Sequence, residues 1–148
     1  MDTETFMARA LAEARAAAER GEVPVGAVLV RGDEVLASAG NRTEELNDPT
    51  AHAEMLAIRA VAAEAGEPRL PDCDLYVTLE SCPMCATAIS FARLRRVVFA
   101  AYDPKGGGVE HGPRIFQQPT CHHSPEVVGG VEETAAGELL RAFFQERR

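Results

Sequence analysis

The segment LYVTLESCPMC, Leu75 to Cys85, decides how this chain is read. Its first half, LYVTL, is a short unbroken apolar run of the kind found in strands buried on both faces, and such strands belong to sheets covered by helices. Its second half offers Pro83 for the first turn of a helix, a position where the missing N–H costs nothing. Cys82 and Cys85 lie three positions apart at that helix start, which turns both sulfurs to one face. A strand thus runs directly into a helix, with two thiols at the junction.

Working outward, the helix that starts at Pro83 is expected to run to about Ala92, and RVVFAA, Arg96 to Ala101, follows as a strand. Strand, helix and strand in alternation predict a parallel, helix-covered α/β sheet. Upstream, Phe6, Ala10, Leu11, Ala14 and Ala18 recur at helical spacing and Gly21 follows as a C-terminal cap. EVPVGAVLV and VLAS read as a hairpin from about Val25 to Ser38. Asp48-Pro49 has the form of an N-cap and first helical residue, so a second helix is expected from there to Gly66, with Met55, Ile58 and Ala62 as its apolar stripe. Beyond Tyr102 the pattern dissolves into DPKGGGVEHGPRIFQQPTCHHSPE, a loop long enough to be read as a functional lid or interface. A short strand at Val127 and Val128 and the amphipathic helix ETAAGELLRAFFQERR complete the chain.

With 148 residues, 46% of them hydrophobic, the chain is expected to form one domain spanning 1–148. The start MDTETFMARALAEAR lacks the basic end and apolar run of a signal peptide, and no segment approaches the roughly 20 apolar residues of a membrane span, so a cytoplasmic protein without membrane partners is expected. In that setting the four cysteines point to thiol or metal chemistry and not to disulfides. A formal net charge of -8 argues against broad, non-specific nucleic-acid binding, so a polyanionic partner must meet a local basic patch.

His52 stands at the start of the second helix, and with Cys82 and Cys85 it supplies three zinc ligands. Three ligands leave the fourth tetrahedral position open to solvent, as a catalytic zinc needs and a structural one does not. Glu54 is two residues from His52, about 200° around an ideal helix, so the two can share a target only if it lies off the helix end. From there Glu54 could exchange protons at the open position without ligating the metal. Cys73, a possible fourth ligand, reads better as a core thiol just before a strand. Cys121-His122-His123 resembles a metal cluster, yet adjacent loop side chains diverge, and surface hydrogen bonding is the plainer reading. Arg93, Arg95 and Arg96 suit either a helix end complementing its dipole or an RNA-facing patch. Asn41 after Gly40 is by itself a turn residue, and of the adjacent Phe143 and Phe144 at least one should pack in the core.

Together, His-x-Glu and Cys-x-x-Cys match the signature of zinc-dependent nucleobase deaminases. The sequence resembles bacterial tRNA adenosine deaminases of the TadA type along nearly its whole length, through EVPVGAVLV, Gly40 to Arg42, DPTAHAE, LYVTLESCPMC, RVVFAA, DPKGG and LLRAFF. The resemblance implies a three-layer αβα sandwich, cytidine-deaminase-like, with a mixed five-stranded sheet and helices on both faces. It implies a homodimer that converts adenosine to inosine at the wobble position of a tRNA anticodon stem-loop. One Zn2+ per chain would be held by His52, Cys82 and Cys85, with Glu54 shuttling protons. Asn41 would bond the flipped base, the Ala53 N–H and Val23, Pro24 and Val25 would line its pocket, and Asp103 and Lys105 would lie beside neighbouring nucleotides. Ser81 departs from the family, which usually carries proline immediately before the first cysteine. Two other readings are a free-base or nucleoside deaminase of the guanine or cytosine type and a non-catalytic zinc-stabilised interaction module. DPKGG and LLRAFFQERR favour the tRNA enzymes over the first, and Glu54, which no structural zinc site requires, argues against the second.

Overall fold

In a computed structural model that describes residues 3–147, the chain forms four helices on a five-stranded sheet. Helix α1 (Thr3–Glu19) leads into the hairpin β1 (Gly26–Arg31) and β2 (Glu34–Gly40), then α2 (Ala53–Ala65), β3 (Cys73–Leu79), α3 (Pro83–Phe91), β4 (Arg96–Ala101), β5 (Glu126–Val128) and α4 (Glu133–Glu146). Arg148, the last residue of the expected final helix, lies outside the described residues. The strand order is β2-β1-β3-β4-β5. β1 pairs antiparallel with both β2 and β3, whereas β3, β4 and β5 run parallel, so the sheet is mixed as the resemblance implies. The parallel part is the β3-α3-β4 unit announced by LYVTLESCPMC.

Alternation along the central strands builds two cores. Val28, Val30, Tyr76 and Val98 face α1 and α4, where they meet Phe6, Met7, Ala10, Leu11 and Ala136. Their neighbours Ala27, Leu29, Leu75, Val77, Val97 and Phe99 face the other way, onto Ala53, Ala57, Ile58, Val61, Ala86 and Ile89 of α2 and α3. The strands are therefore apolar at nearly every position, as a sheet covered on both faces requires. α1 rides so close to β1 that a Cβ at Gly26 would collide with the Ala10 carbonyl, which is why the EVPVGAVLV run breaks at glycine.

Two details differ from the sequence-based expectation. α2 begins at Ala53 and not after Asp48, because the Asp48 carboxylate accepts from the Thr50 N–H at 2.9 Å and from its hydroxyl at 2.7 Å. A local turn has taken the cap chemistry. The buried face of α2 is Ala53, Glu54, Ala57, Ile58 and Val61; of the expected stripe Ile58 is buried, while Met55 and Ala62 flank that face half-buried. The helix ends as expected, at Gly66 in the left-handed region (φ 68°), which donates to the Ala62 carbonyl.

Candidate active site

His52 and Cys82 occupy the same local position: each is the extended residue that caps a helix, His52 before α2 (φ -74°, ψ 154°) and Cys82 before α3 (φ -70°, ψ 169°). Neither side chain bonds its own helix end, as a capping Ser or Asp would. The two turn toward each other instead. His52 Nδ1 lies 3.6 Å from Cys82 Sγ and 3.4 Å from Cys85 Sγ. A tetrahedral zinc with Zn–S about 2.3 Å and Zn–N about 2.0–2.1 Å has an N···S edge of about 3.6 Å, so the donor set fits zinc in spacing as well as in chemistry. Among the described residues, this is the one cluster of potential ligand atoms lying within 4.8 Å of one another. Cys73 is elsewhere, buried at the start of β3. Cys121 and His123 serve the loop, with the Ser90 hydroxyl 3.4 Å from Cys121 Sγ and the His123 ring on the Leu94 carbonyl at 2.7 Å.

The electrostatics favour a cation in the cluster. Two helix N-termini converge there, and their partial positive charge stabilises thiolate. The Cys85 thiol donates to Cys82 and, against the opposing effect of burial and with help from His52, holds Cys82 down to about 4. Cys85 is driven far up, first by that donation and then by burial and the charge of Glu54. His52 is raised, chiefly by its bond to Cys82. Of the two thiols Cys82 is the one biased toward thiolate, and metal binding to the pair releases protons.

Glu54 solves the geometric problem posed by the 200° step. His52 is the cap and Glu54 lies in the first turn of α2, so both reach past the helix end. Burial at 3% exposure raises its carboxyl above the usual range, and the Ser81 hydroxyl donates to its Oε2 at 2.9 Å. A raised carboxyl in a cleft beside a metal-ligand set suits general acid-base work near neutral pH.

A cavity of about 240 Å³ opens over this group, lined by Val23, Val25, Asn41, Thr43, His52, Glu54, Leu79, Glu80, Cys82 and Asp103. The structure therefore gathers Val23, Val25, Asn41 and Asp103 with the cluster. Pro24, Ala53 and Lys105 do not line it; Lys105 is exposed on the loop. The Ala53 N–H is already taken, donating to Asn41 Oδ1 at 2.8 Å. What Asn41 has to offer a ligand is thus chiefly its amide NH2.

Sequence reasoning missed the carboxylates that hold the cavity walls. Glu80, 2% exposed, accepts N–H bonds from Asp103 (3.0 Å), Val109 (3.2 Å), Glu110 (2.8 Å) and His111 (3.0 Å), with the His111 ring at 2.8 Å. Burial pushes its carboxyl up, but these donors outweigh burial and leave it below the usual range. Glu22 likewise accepts from the Glu44 and Glu45 N–H groups at 3.1 and 2.8 Å and so holds the opposite loop. No sequence signal separates such glutamates from solvated ones, since charged residues are mostly exposed.

A buried carboxylate, in place of a fourth ligand, beside three zinc donors at the ends of parallel strands defines a zinc-dependent nucleobase deaminase. Accordingly, the family described as the cytidine and deoxycytidylate deaminase zinc-binding region matches residues 1–101. The tRNA-specific adenosine deaminase of Agrobacterium fabrum is 60% identical over 143 residues, covering 97% of this chain and 94% of that one. A structure solved in a study of A-to-I editing by tRNA deaminases at the wobble position superposes with a TM-score of 0.90 at 60% identity, covering 92% of this chain and 99% of that one. The guanine deaminase of Bacillus subtilis is less similar, 42% identical with a TM-score of 0.66 over 69% of this chain and 66% of that one. The chain belongs to the cytidine and deoxycytidylate deaminase family and, within it, to the tRNA-specific adenosine deaminases.

Proposed function

We propose that this chain hydrolyses adenosine to inosine at the wobble position of a tRNA anticodon, as one zinc-dependent deaminase domain over residues 1–148. The observation that carries the chemistry is the buried Glu54 carboxyl lying beside the His52, Cys82 and Cys85 set on the wall of a single-base-sized cavity. His52, Cys82 and Cys85 hold the zinc, which when bound supplies the Lewis acidity that makes water nucleophilic near neutral pH. Glu54 takes a proton from the attacking water as its oxygen bonds to C6 of adenine, and returns a proton to the amino group as the C6–N bond breaks. Adenosine and water become inosine and ammonia, with Glu54 restored.

Asn41 faces the flipped base with its amide NH2, Val23 and Val25 pack on the ring, and Asp103 reads the sugar edge of the adjoining nucleotide. The Ala53 N–H fixes the Asn41 side chain, Pro24 joins the two valines, and Lys105 lies beside the neighbouring nucleotides. A base must leave its stack to enter such a cavity, which is cheapest in a single-stranded loop. With Arg95 and Arg96 both paired to Asp74, at 2.5 and 3.7 Å, the basic contacts to RNA lie elsewhere, on Lys105 and the end of α4. The biological unit is a homodimer in the cytoplasm. Supporting that state, Met55, Met84, Ala88 and Phe91 form an apolar face on α2 and α3, where Phe91 is 70% exposed.

The substrate is tested by incubating zinc-loaded protein with an RNA anticodon stem-loop carrying a wobble adenosine, with its DNA counterpart, and with free guanine, cytosine and adenosine. Ammonia from the RNA alone is expected. Comparable release from a free base would establish the metabolic reading instead, and release from nothing would leave a zinc-stabilised module.

A further inference from the structure

We propose that Ser81 is a positioning residue for the proton-carrying carboxylate of Glu54. This rests on the deaminase function above. Ser81 and Glu54 are 1% and 3% exposed, and the Ser81 hydroxyl donates to Glu54 Oε2 at 2.9 Å across 27 residues of sequence. A hydroxyl buried to this degree must be bonded, and the Glu54 carboxyl oxygen is the acceptor it finds. The proline usual at this position in the family has a ring to stiffen the turn before the first cysteine but no donor to offer a carboxylate. Here Ser81 ties the turn by two hydrogen bonds: its carbonyl accepts from the Gly108 N–H at 2.8 Å, and its hydroxyl donates to Glu54 of α2. The terminal torsion of a glutamate is intrinsically broad. Holding Oε2 removes that freedom and fixes the carboxylate in one orientation toward the cavity wall it lines. Ser81 therefore acts by pre-organisation, and its effect belongs to the chemical step and not to RNA binding.

The test compares zinc-loaded wild type with Ser81→Ala on the RNA anticodon stem-loop, measuring kcat, KM and bound zinc, and repeats the pair in a Glu54→Gln background. The expected result is a kcat lowered about tenfold, KM and zinc content unchanged, and no further loss from Ser81→Ala once Glu54 is gone. An unchanged kcat, an equal loss in the Glu54→Gln background, or a loss that tracks missing zinc would overturn the proposal. A wild type inert on the stem-loop would overturn the assigned function and this proposal with it, whereas an active wild type matched by Ser81→Ala overturns this proposal alone.

Discussion

Glu54 and Asn41 both line the cavity, and their partners define what each can do. Asn41 spends its carbonyl on the Ala53 N–H, while the Arg20 guanidinium holds its backbone carbonyl at 3.2 Å. In Asn41→Ala the Ala53 N–H loses its acceptor and, in the proposed role, the base loses a donor. The expected cost is about 1–3 kcal/mol of transition-state stabilisation, measured as kcat/KM on the stem-loop. Cys85 is buried and one turn into α3, so Cys85→Ser removes a ligand without opening the fold; metal analysis should find most of the zinc gone. Full retention would remove Cys85 from the ligand set. Asn41 by itself reads as a turn residue and takes a role only from the resemblance, whereas the cysteines were legible in the sequence because ligand spacing at a helix start encodes geometry directly. The Ser81 to Glu54 bond was not, since nothing local links residues 27 apart. Nor was the engagement of the Ala53 N–H, which depends on how the Gly40 to Arg42 loop packs against α2.

The elements nearest the site are the two helix starts and the loop that follows β4. The start of α3 was readable from Pro83, whereas that of α2 was misplaced, because Asp48 followed by proline satisfies an N-cap and a tight turn equally well. The first part of the loop from Asp103 onward is gathered on the Glu80 carboxylate. Gly107 packs against it so closely that a Cβ there would meet Glu80 Oε2 at 2.5 Å, which explains glycine in DPKGG. Glu80→Gln replaces one acceptor oxygen with a donor in the midst of N–H groups. The amides of Val109, Glu110 and His111 should then exchange with solvent at least about tenfold faster, as hydrogen exchange would show. Unchanged protection would mean that the loop is held by Ile115, whose N–H bonds the Gly108 carbonyl at 2.7 Å, and not by Glu80. The sequence marked this segment as functional through its length alone; its anchors, Glu80 above all and also Ser81, Ser90 and Leu94, lie far away in sequence.

Across the molecule, the sheet separates two tasks. α1 and α4 close one face with apolar packing, including Phe143 beneath the Arg147 guanidinium at 3.7 Å, while α2 and α3 carry the site on the other. The apolar face formed by Met55, Met84, Ala88 and Phe91 lies on the same side as the site. If the proposed homodimer forms through this face, wild type sediments as a dimer and Phe91→Glu, a charge at its most exposed point, as a monomer with an unchanged circular dichroism spectrum; a monomeric wild type or a variant that remains dimeric would contradict the proposed interface. Fold class was legible because the alternation of elements and the resemblance agree. The mixed character of the sheet follows from β1 pairing with β3 as well as β2, which strand patterns alone do not dictate.

The most direct test of the whole account is single-turnover conversion of wobble adenosine to inosine in an intact tRNA transcript, by wild type and Glu54→Ala protein of measured zinc content. The wild type should form inosine at that nucleotide and no other. Glu54→Ala, with zinc retained, should be slower by at or above the upper end of the roughly 10²–10⁴-fold range of general acid-base groups. Near wild-type conversion by zinc-loaded Glu54→Ala, or a wild type that leaves the wobble adenosine intact, would contradict the account.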